Sequence, residues 1–318
     1  YELIYCETFE YSKEIKSDLL KTFIGEHDLD YMDVKFGSIL SHYIQVFIKK
    51  YNVKIDLVSS HGHTIFHNPK NGYTKQIGLG SIIAKNIGIP VVSNFRQQDI
   101  DFGGQGAPLV PVGDQLLFGH YDACVNLGGI ANISFSYNGK RLAYDVSPCN
   151  MILNFLSKKV GKDFDQFGKM AQSGQTNLEL LSQLNKINYY DTDPPKSLGK
   201  EYLDNFFIPI LNQSKLSTND MLSTFVEHVA IQMSKSFTSC NIVKSFFTGG
   251  GVFNQYLIAR ISYYTQVDII IPDNDTVNFK EAIIFGFLGV LRVLNQNNCL
   301  AFSTGAYRDH CSGDVYML

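Results

Sequence analysis

The chain has 318 residues, enough for two ordinary domains, with 45% hydrophobic and 18% charged residues, so a packed core is available and wholesale disorder is excluded. Its net charge of −3, with no Lys/Arg run longer than a pair, argues against a nucleic-acid partner. No apolar run approaches the ~20 residues of a membrane helix, no secretory signal pattern is visible, and six scattered cysteines without a CxxC pair fit a reducing compartment, so a cytoplasmic protein is expected.

The chain opens at Tyr1 on ELIYCETFEY, an alternation that predicts a strand and suggests that residues ahead of it are missing. Residues 38–50 place Ile39, Tyr43 and Phe47 in one row, with Leu40, Ile44 and Ile48 beside it, which predicts an amphipathic helix stopping near Asn52. Ile55, Leu57 and Val58 predict a strand running into Ser59–Gly62; GLGSIIAKNI predicts a short helix stopped by Gly88, and 89–95 another strand. This is α/β rhythm, and His61 and Arg96 fall where such sheets place their sites, at the carboxyl ends of strands. Residues 101–113, rich in Gly and Pro, predict a loop with neither helix nor central strand. Next come a strand through Cys124, Val125 and Leu127, a Gly128–Gly129 turn, a strand carrying Ile130, Asn132, Ile133 and Phe135, and a turn at Tyr137–Gly139. Asp145 sits near the exit of the third strand. The remainder predicts helix from 151 to about 185, a loop at Asp193–Pro195, helix over 218–238, a strand–glycine-turn–helix unit at 245–254, a short strand VDIIIP, and helix over 279–295.

Four constellations carry chemistry. Glycines at the 128–129 turn let backbone N–H groups approach an anion, and with Asp145 nearby they outline a phosphoryl-transfer site; an ordinary meander with turn glycines is the alternative. TGGGVFN opens a helix after an apolar strand but lacks the lysine and spacing of a Walker loop and the spacing of a dinucleotide fingerprint. Paired, Gly128–Gly129 and Gly249–Gly251 suggest two clamps on one nucleotide, facing each other across a cleft. FRQQDIDFGGQGAP groups Arg96, Gln98, Asp99, Asp101 and Gln105, a donor, acceptor and cation mixture suited to a sugar with an acidic substituent, or else a solvated loop. His61, His63 and His67 could share one side of a strand, but no adjacent Cys or carboxylate completes a metal set, so no metal ligand is assigned and His61 is read as a hydrogen-bonding residue.

Taken together, HGHTIFHNP, FRQQDIDFGGQGAPLVP, NLGGIANISF, YDVSPCNMILN, DPPKSLGKE and FTGGGVFN resemble the anhydro-N-acetylmuramic acid kinase family, in order from about residue 55 to Thr304–Ala306. The resemblance implies an α/β, two-domain actin/hexokinase-like (ribonuclease H-like) fold with an interdomain cleft, divided here as 1–120 and 121–318. It implies an ATP- and Mg2+-dependent enzyme, typically a homodimer, that opens the 1,6-anhydro ring of a small-molecule cell-wall sugar and phosphorylates its O6. Carried over position by position, Asp145 is the general base; Arg96, Asp99, His61, Gln105 and Asn150 are on the sugar side; Gly128, Gly129, Asn132, Gly249, Gly250, Gly251 and Asn254 are on the nucleotide side. Val146, Ser147 and Cys149 replace the family's Thr, Gly and Gly, and Asn154 its usual Asp. Residues 1–40 lack the family's N-terminal Gly-Thr-Ser hairpin. The alternatives are a kinase of another sugar on the same fold, or a sugar- or nucleotide-binding relative with weak catalysis.

Overall fold

The computed structural model describes residues 1–194 and 196–317; Pro195 of the predicted Asp193–Pro195 loop lies outside the described residues. Its strands, in chain order, are β1 (Val58–Ser59), β2 (His63–Asn68), β3 (Tyr73–Ile77), β4 (Val91–Ser93), β5 (Ala123–Leu127), β6 (Ile130–Tyr137), β7 (Lys140–Pro148), β8 (Lys244–Thr248), β9 (Asp268–Ile270) and β10 (Asp314–Tyr316), and the mixed α/β class is the one expected. Two compact units emerge, residues 1–117 with 281–318, and residues 118–280. A single division near residue 120 is therefore corrected: the C-terminal segment returns to the first unit. Pairing and packing hold it there. β10 pairs antiparallel with β4, and Ile284 fills the space a side chain on Gly113 would need, 2.6 Å from its Cβ position.

In the first unit β4 lies between β1, parallel to it, and β10, while β2 and β3 form a separate hairpin. The predicted apolar stripe belongs to a longer helix, Leu29–Tyr51, capped by the Asp28 carboxylate on the Tyr31 N–H and ended by Asn52 in the left-handed region. Met32 and Phe36 of this helix pack with Ile65 and Ile77 of the hairpin. Residues 1–11 correct the expected first strand, since they form no regular element among the described residues. Their aromatic side chains stack on the helix instead, Tyr5 on Tyr51 and Phe9 on Tyr43. Alternation supplies a strand face, but a strand also needs a ladder partner. The Gly/Pro-rich stretch is likewise more regular than expected, with helices at Gln97–Asp101 and Val110–Leu117 flanking the glycines. Pro111 falls in the first helical turn, where its missing N–H is not needed.

In the second unit a five-stranded sheet has the order β7-β6-β5-β8-β9. Its first three strands form an antiparallel meander, and β8 and β9 run parallel to β5. The β6–β7 connection falls within the turn expected at Tyr137–Gly139, with Tyr137 ending β6 and Asn138 and Gly139 both at positive φ. The helix Thr218–Cys240 buries Phe225, Val229 and Met233 in the core that also holds Val125, Ile133 and Phe247. The helical stretch predicted over 151–185 is broken into Asn150–Lys158, Lys169–Ser173 and Leu178–Asn185 by intervening turns.

Candidate active site

The register of the meander builds the site in the second unit. Asn132 pairs with Asp145 while Ala131 pairs with Ser147, so Val146 is the extra residue of a β-bulge. Opposed residues share a face. Since Asn126 pairs with both Asn132 and Thr248, one polar row crosses four strands: Asp145, Asn132, Asn126, Thr248. Thr248 is sealed, its hydroxyl donating to the Val125 carbonyl, whereas the other three are half-buried.

Asp145 is held from the 196–198 loop. Its Oδ2 accepts the Leu198 N–H at 2.8 Å, its backbone N–H donates to the Lys196 carbonyl at 3.1 Å, and the Tyr189 hydroxyl donates to its carbonyl at 2.5 Å. Oδ1 has no hydrogen bond among the described residues. Burial raises the Asp145 carboxyl above its ordinary pKa, and the Leu198 N–H opposes part of that rise. A fixed carboxylate with one unengaged oxygen and enhanced basicity can accept a proton.

The two glycine turns do not face each other from separate domains, which corrects that expectation. Both belong to the second unit and cap the neighbouring strands β5 and β8. Gly249 has φ 83 and ψ 157, a conformation open essentially to glycine, and a Cβ there would lie 2.4 Å from Asn126 Oδ1. A Cβ on Gly251 would lie 2.7 Å from Leu127 Cβ, whereas Gly250 is exposed with open space where its Cβ would stand. Gly249 and Gly251 thus let the turns nest, and Gly250 is free to meet a ligand.

Two expected ligand residues serve the scaffold instead. Asn150 donates Nδ2–H to the Leu127 carbonyl at 3.0 Å and its backbone N–H to the Gly128 carbonyl at 3.1 Å, so it braces the Gly128–Gly129 turn. Asn254, 8% exposed, is the N-cap of the helix Gln255–Tyr264, its Oδ1 accepting the Leu257 N–H at 2.9 Å. Asn126 and Thr248 open the quoted motifs NLGG and TGGG but were passed over for the glycines that follow them; a polar residue inside the apolar run CVNL was the available signal.

The replacements around Asp145 point inward. Val146, Ser147 and Cys149 are all buried. Ser147 Oγ donates to the Pro148 carbonyl and meets the Tyr190 hydroxyl, which contacts His228 Nε2 at 2.6 Å. Burial pushes the Cys149 thiol up to about 12, so it stays protonated and inert. None of the three has a side-chain hydrogen bond to Asp145 among the described residues, and Asn154 lies in the helix Asn150–Lys158.

In the first unit, Arg96 and His61 come together as expected. Arg96 Nε–H donates to His61 Nε2 at 2.9 Å, and Nη1 donates to the Gly106 carbonyl at 2.7 Å. His61 Nδ1–H donates to the Gly62 carbonyl, and burial together with the Arg96 charge lowers its pKa to about 4, so the ring is neutral. With its Nε edge engaged, Arg96 can still grip a carboxylate end-on through Nη1 and Nη2. A cavity of about 280 Å³ lies beside His61, walled by Thr74, Lys75, Gln76 and Tyr316. Asp33 and Lys75 form an ion pair on this wall, and Asp33 Oδ1 accepts the Gly78 N–H at 2.8 Å. That acid was legible as a charge on the buried face of an apolar helix, between Met32 and Phe36, and was missed.

Arg96, Asp99 and Gln105, all expected on the sugar side, are not among the residues that line this cavity. Asp99 is 0% exposed, and its carboxylate accepts from the Gly106 N–H, the Thr304 hydroxyl and the Cys299 thiol. Gln105 is exposed away from the cavity wall, its backbone N–H bonded to the Thr304 carbonyl. His63 and His67 lie on β2, His67 Nδ1 meeting Thr74 Oγ1, and the three histidines form no metal-ligating group among the described residues.

A family model for anhydro-N-acetylmuramic acid kinase matches residues 2–318. The chain belongs to the anhydro-N-acetylmuramic acid kinase family. It is 32% identical to the anhydro-N-acetylmuramic acid kinase of Sulfurimonas denitrificans, over 99% of this chain and 92% of the relative. It is likewise 32% identical to that of Synechocystis, over 100% of this chain and 91% of the relative, and 31% identical to that of Aliivibrio fischeri, over 95% and 88%. Membership in the anhydro-N-acetylmuramic acid kinase family makes the chain a phosphotransferase that uses a nucleotide and a small-molecule sugar. Among the described residues, no helix is long and apolar enough to cross a membrane.

Proposed function

We propose that the chain phosphorylates O6 of anhydro-N-acetylmuramic acid at the expense of ATP, with Asp145 as general base. The observation that carries this reading is the Asp145 carboxylate, anchored on one oxygen only and set in a polar row beside two nested glycine turns, in a chain matched by the family model over nearly its whole length. Asp145 Oδ1 takes a proton from a water as its oxygen bonds to the anomeric carbon. The C1–O6 bond breaks, and O6 then bonds to the γ-phosphorus as ADP leaves. Gly250 and the Gly128–Gly129 turn approach the phosphates, and Asn132 and Asn126 hydrogen-bond between base and phosphates. The Asn132 and Asn126 amide oxygens would hold Mg2+, which would supply charge neutralisation at the phosphates. Arg96, steadied by His61, takes the lactyl carboxylate of the sugar.

The same reading extends to a cytoplasmic homodimer, in keeping with the family and with the free thiols of the six cysteines. The test of the chemistry is incubation with ATP, Mg2+ and the anhydro sugar in 18O-labelled water. The expected product is a 6-phosphate carrying the label at C1. A phosphorylated sugar with its anhydro bond intact, or label in the phosphate, would overturn the proposed order.

A further inference from the structure

The carboxylate that leaves the cavity wall enters a different constellation. Asp99, Cys299 and His310 each offer one ligand atom, all within 4.8 Å of one another, and the three residues are 0%, 1% and 4% exposed. They join two segments far apart in sequence: residues 97–106, and residues 299–310, which carry the short helix Ala301–Thr304 and are closed by the Cys299–His310 bridge; the Gln105 N–H donates to the Thr304 carbonyl between them. Cys299 Sγ lies 3.1 Å and His310 Nε2 3.6 Å from Asp99 Oδ1. Separations near 3–4 Å are those of ligand atoms sharing one tetrahedral ion at 2.0–2.3 Å.

The histidine supplies an independent argument. Its Nδ1–H donates to the Arg308 carbonyl at 3.1 Å, and in that tautomer Nε2 is a bare lone pair. That lone pair has no hydrogen-bond partner among the described residues, is buried, and lies 3.6 Å from Asp99 Oδ1, which is itself an acceptor. Two acceptors facing each other in the interior need a positive charge between them. The surroundings resemble the outer support of a metal centre: Arg308 orients the imidazole, and the Gly106 N–H holds Asp99 Oδ2 at 2.7 Å, turning Oδ1 toward the cluster.

We propose that Asp99, Cys299 and His310 bind a structural zinc ion that pins the 97–106 turn to the C-terminal loop. The mixed sulfur, nitrogen and oxygen set selects a borderline divalent cation over Mg2+ or Ca2+. On binding, a Zn–S bond replaces the Cys299 S–H bond and the proton passes to solvent; the Thr304 hydroxyl, 2.7 Å from Asp99 Oδ1, or a water completes the tetrahedron. The ion stands behind the loop that carries Arg96 and does no chemistry on the substrate.

The experiment loads the full-length chain with Zn2+ or Co2+ and dialyses it exhaustively. Retained zinc is measured by mass spectrometry, and the cobalt form is scanned for a thiolate-to-metal charge-transfer band. Wild type should retain equimolar zinc and show the band. Cys299→Ser and His310→Gln should each lose the band and weaken zinc binding by more than the about 10–100-fold typical of removing a supporting partner, while Cys311→Ser, at a cysteine outside the cluster, should behave as wild type. A folded wild-type chain that retains no zinc overturns the proposal without recourse to any variant. Equal zinc retention by wild type and Cys299→Ser would overturn it as well.

Discussion

Replacing Asp145 by Asn preserves size and lets the new amide oxygen keep the Leu198 N–H, so the loop that anchors the base should stay in place. What disappears is the proton acceptor at Oδ1. A positioned general base contributes about 10²–10⁴-fold, equivalent to about 2.7–5.4 kcal/mol of transition-state stabilisation. Turnover should therefore fall by that factor, with nucleotide affinity unchanged. Stability should move the other way. Burial raises the folded-state pKa of Asp145, so its favourable contribution belongs to the protonated form and is lost as pH rises through that pKa. At pH 7 wild type carries the cost of a buried carboxylate and the Asn variant does not. The variant's thermal midpoint should be no lower than wild type at pH 7, and any advantage should vanish in acid. The assay is steady-state kinase turnover with calorimetric melts at pH 7 and pH 4 on the same preparations. Turnover within about threefold of wild type would refute Asp145 as the base. A large fall in thermal midpoint would show that the lost activity reports folding.

The glycine turn separates packing from ligand contact: Gly250→Ala should melt within about 0.5 kcal/mol of wild type yet lose at least about tenfold in nucleotide affinity, whereas Gly251→Ala, driven against Leu127, should cost about 1–3 kcal/mol of stability. Equal stability losses in chemical denaturation would undo that division. Arg96→Ala should raise KM about 10–100-fold for the lactyl-bearing sugar and far less for an analogue without the carboxylate, as expected for losing a charge-assisted hydrogen bond; matching losses on both substrates would make Arg96 a scaffold residue. His61, with its pKa lowered to about 4, and His228, lowered to about 3 by burial, stay neutral in the folded chain while the unfolded chain takes up protons near pH 6.5. Stability should decline as pH falls from about 6.5 toward 4, by up to about 1.4 kcal/mol per pH unit for each histidine, and the decline should be shallower in His228→Gln; identical slopes would remove His228 from the account.

The amino-acid sequence by itself determined what depends on local chemistry. The Asn52 and Gly88 helix stops, the turn at Tyr137–Gly139 and the strand–glycine–helix order at 245–254 follow from periodicity and backbone preference, and the ordered motifs placed the chain in its family. Tertiary structure decided whatever depends on partners. The alternation of residues 1–11 gained no ladder, so it packs by its aromatic rings. Asp99 carries the same charge in either setting, but only the fold brings Cys299, Thr304 and His310 around it and turns a candidate sugar ligand into a buried hub. Asn150 and Asn254 likewise spend their amides on a turn and a cap. The row from Asp145 to Asn126 is invisible along the chain, because strand register and one bulged residue, Val146, set which side chains share a face, and register is a property of paired strands.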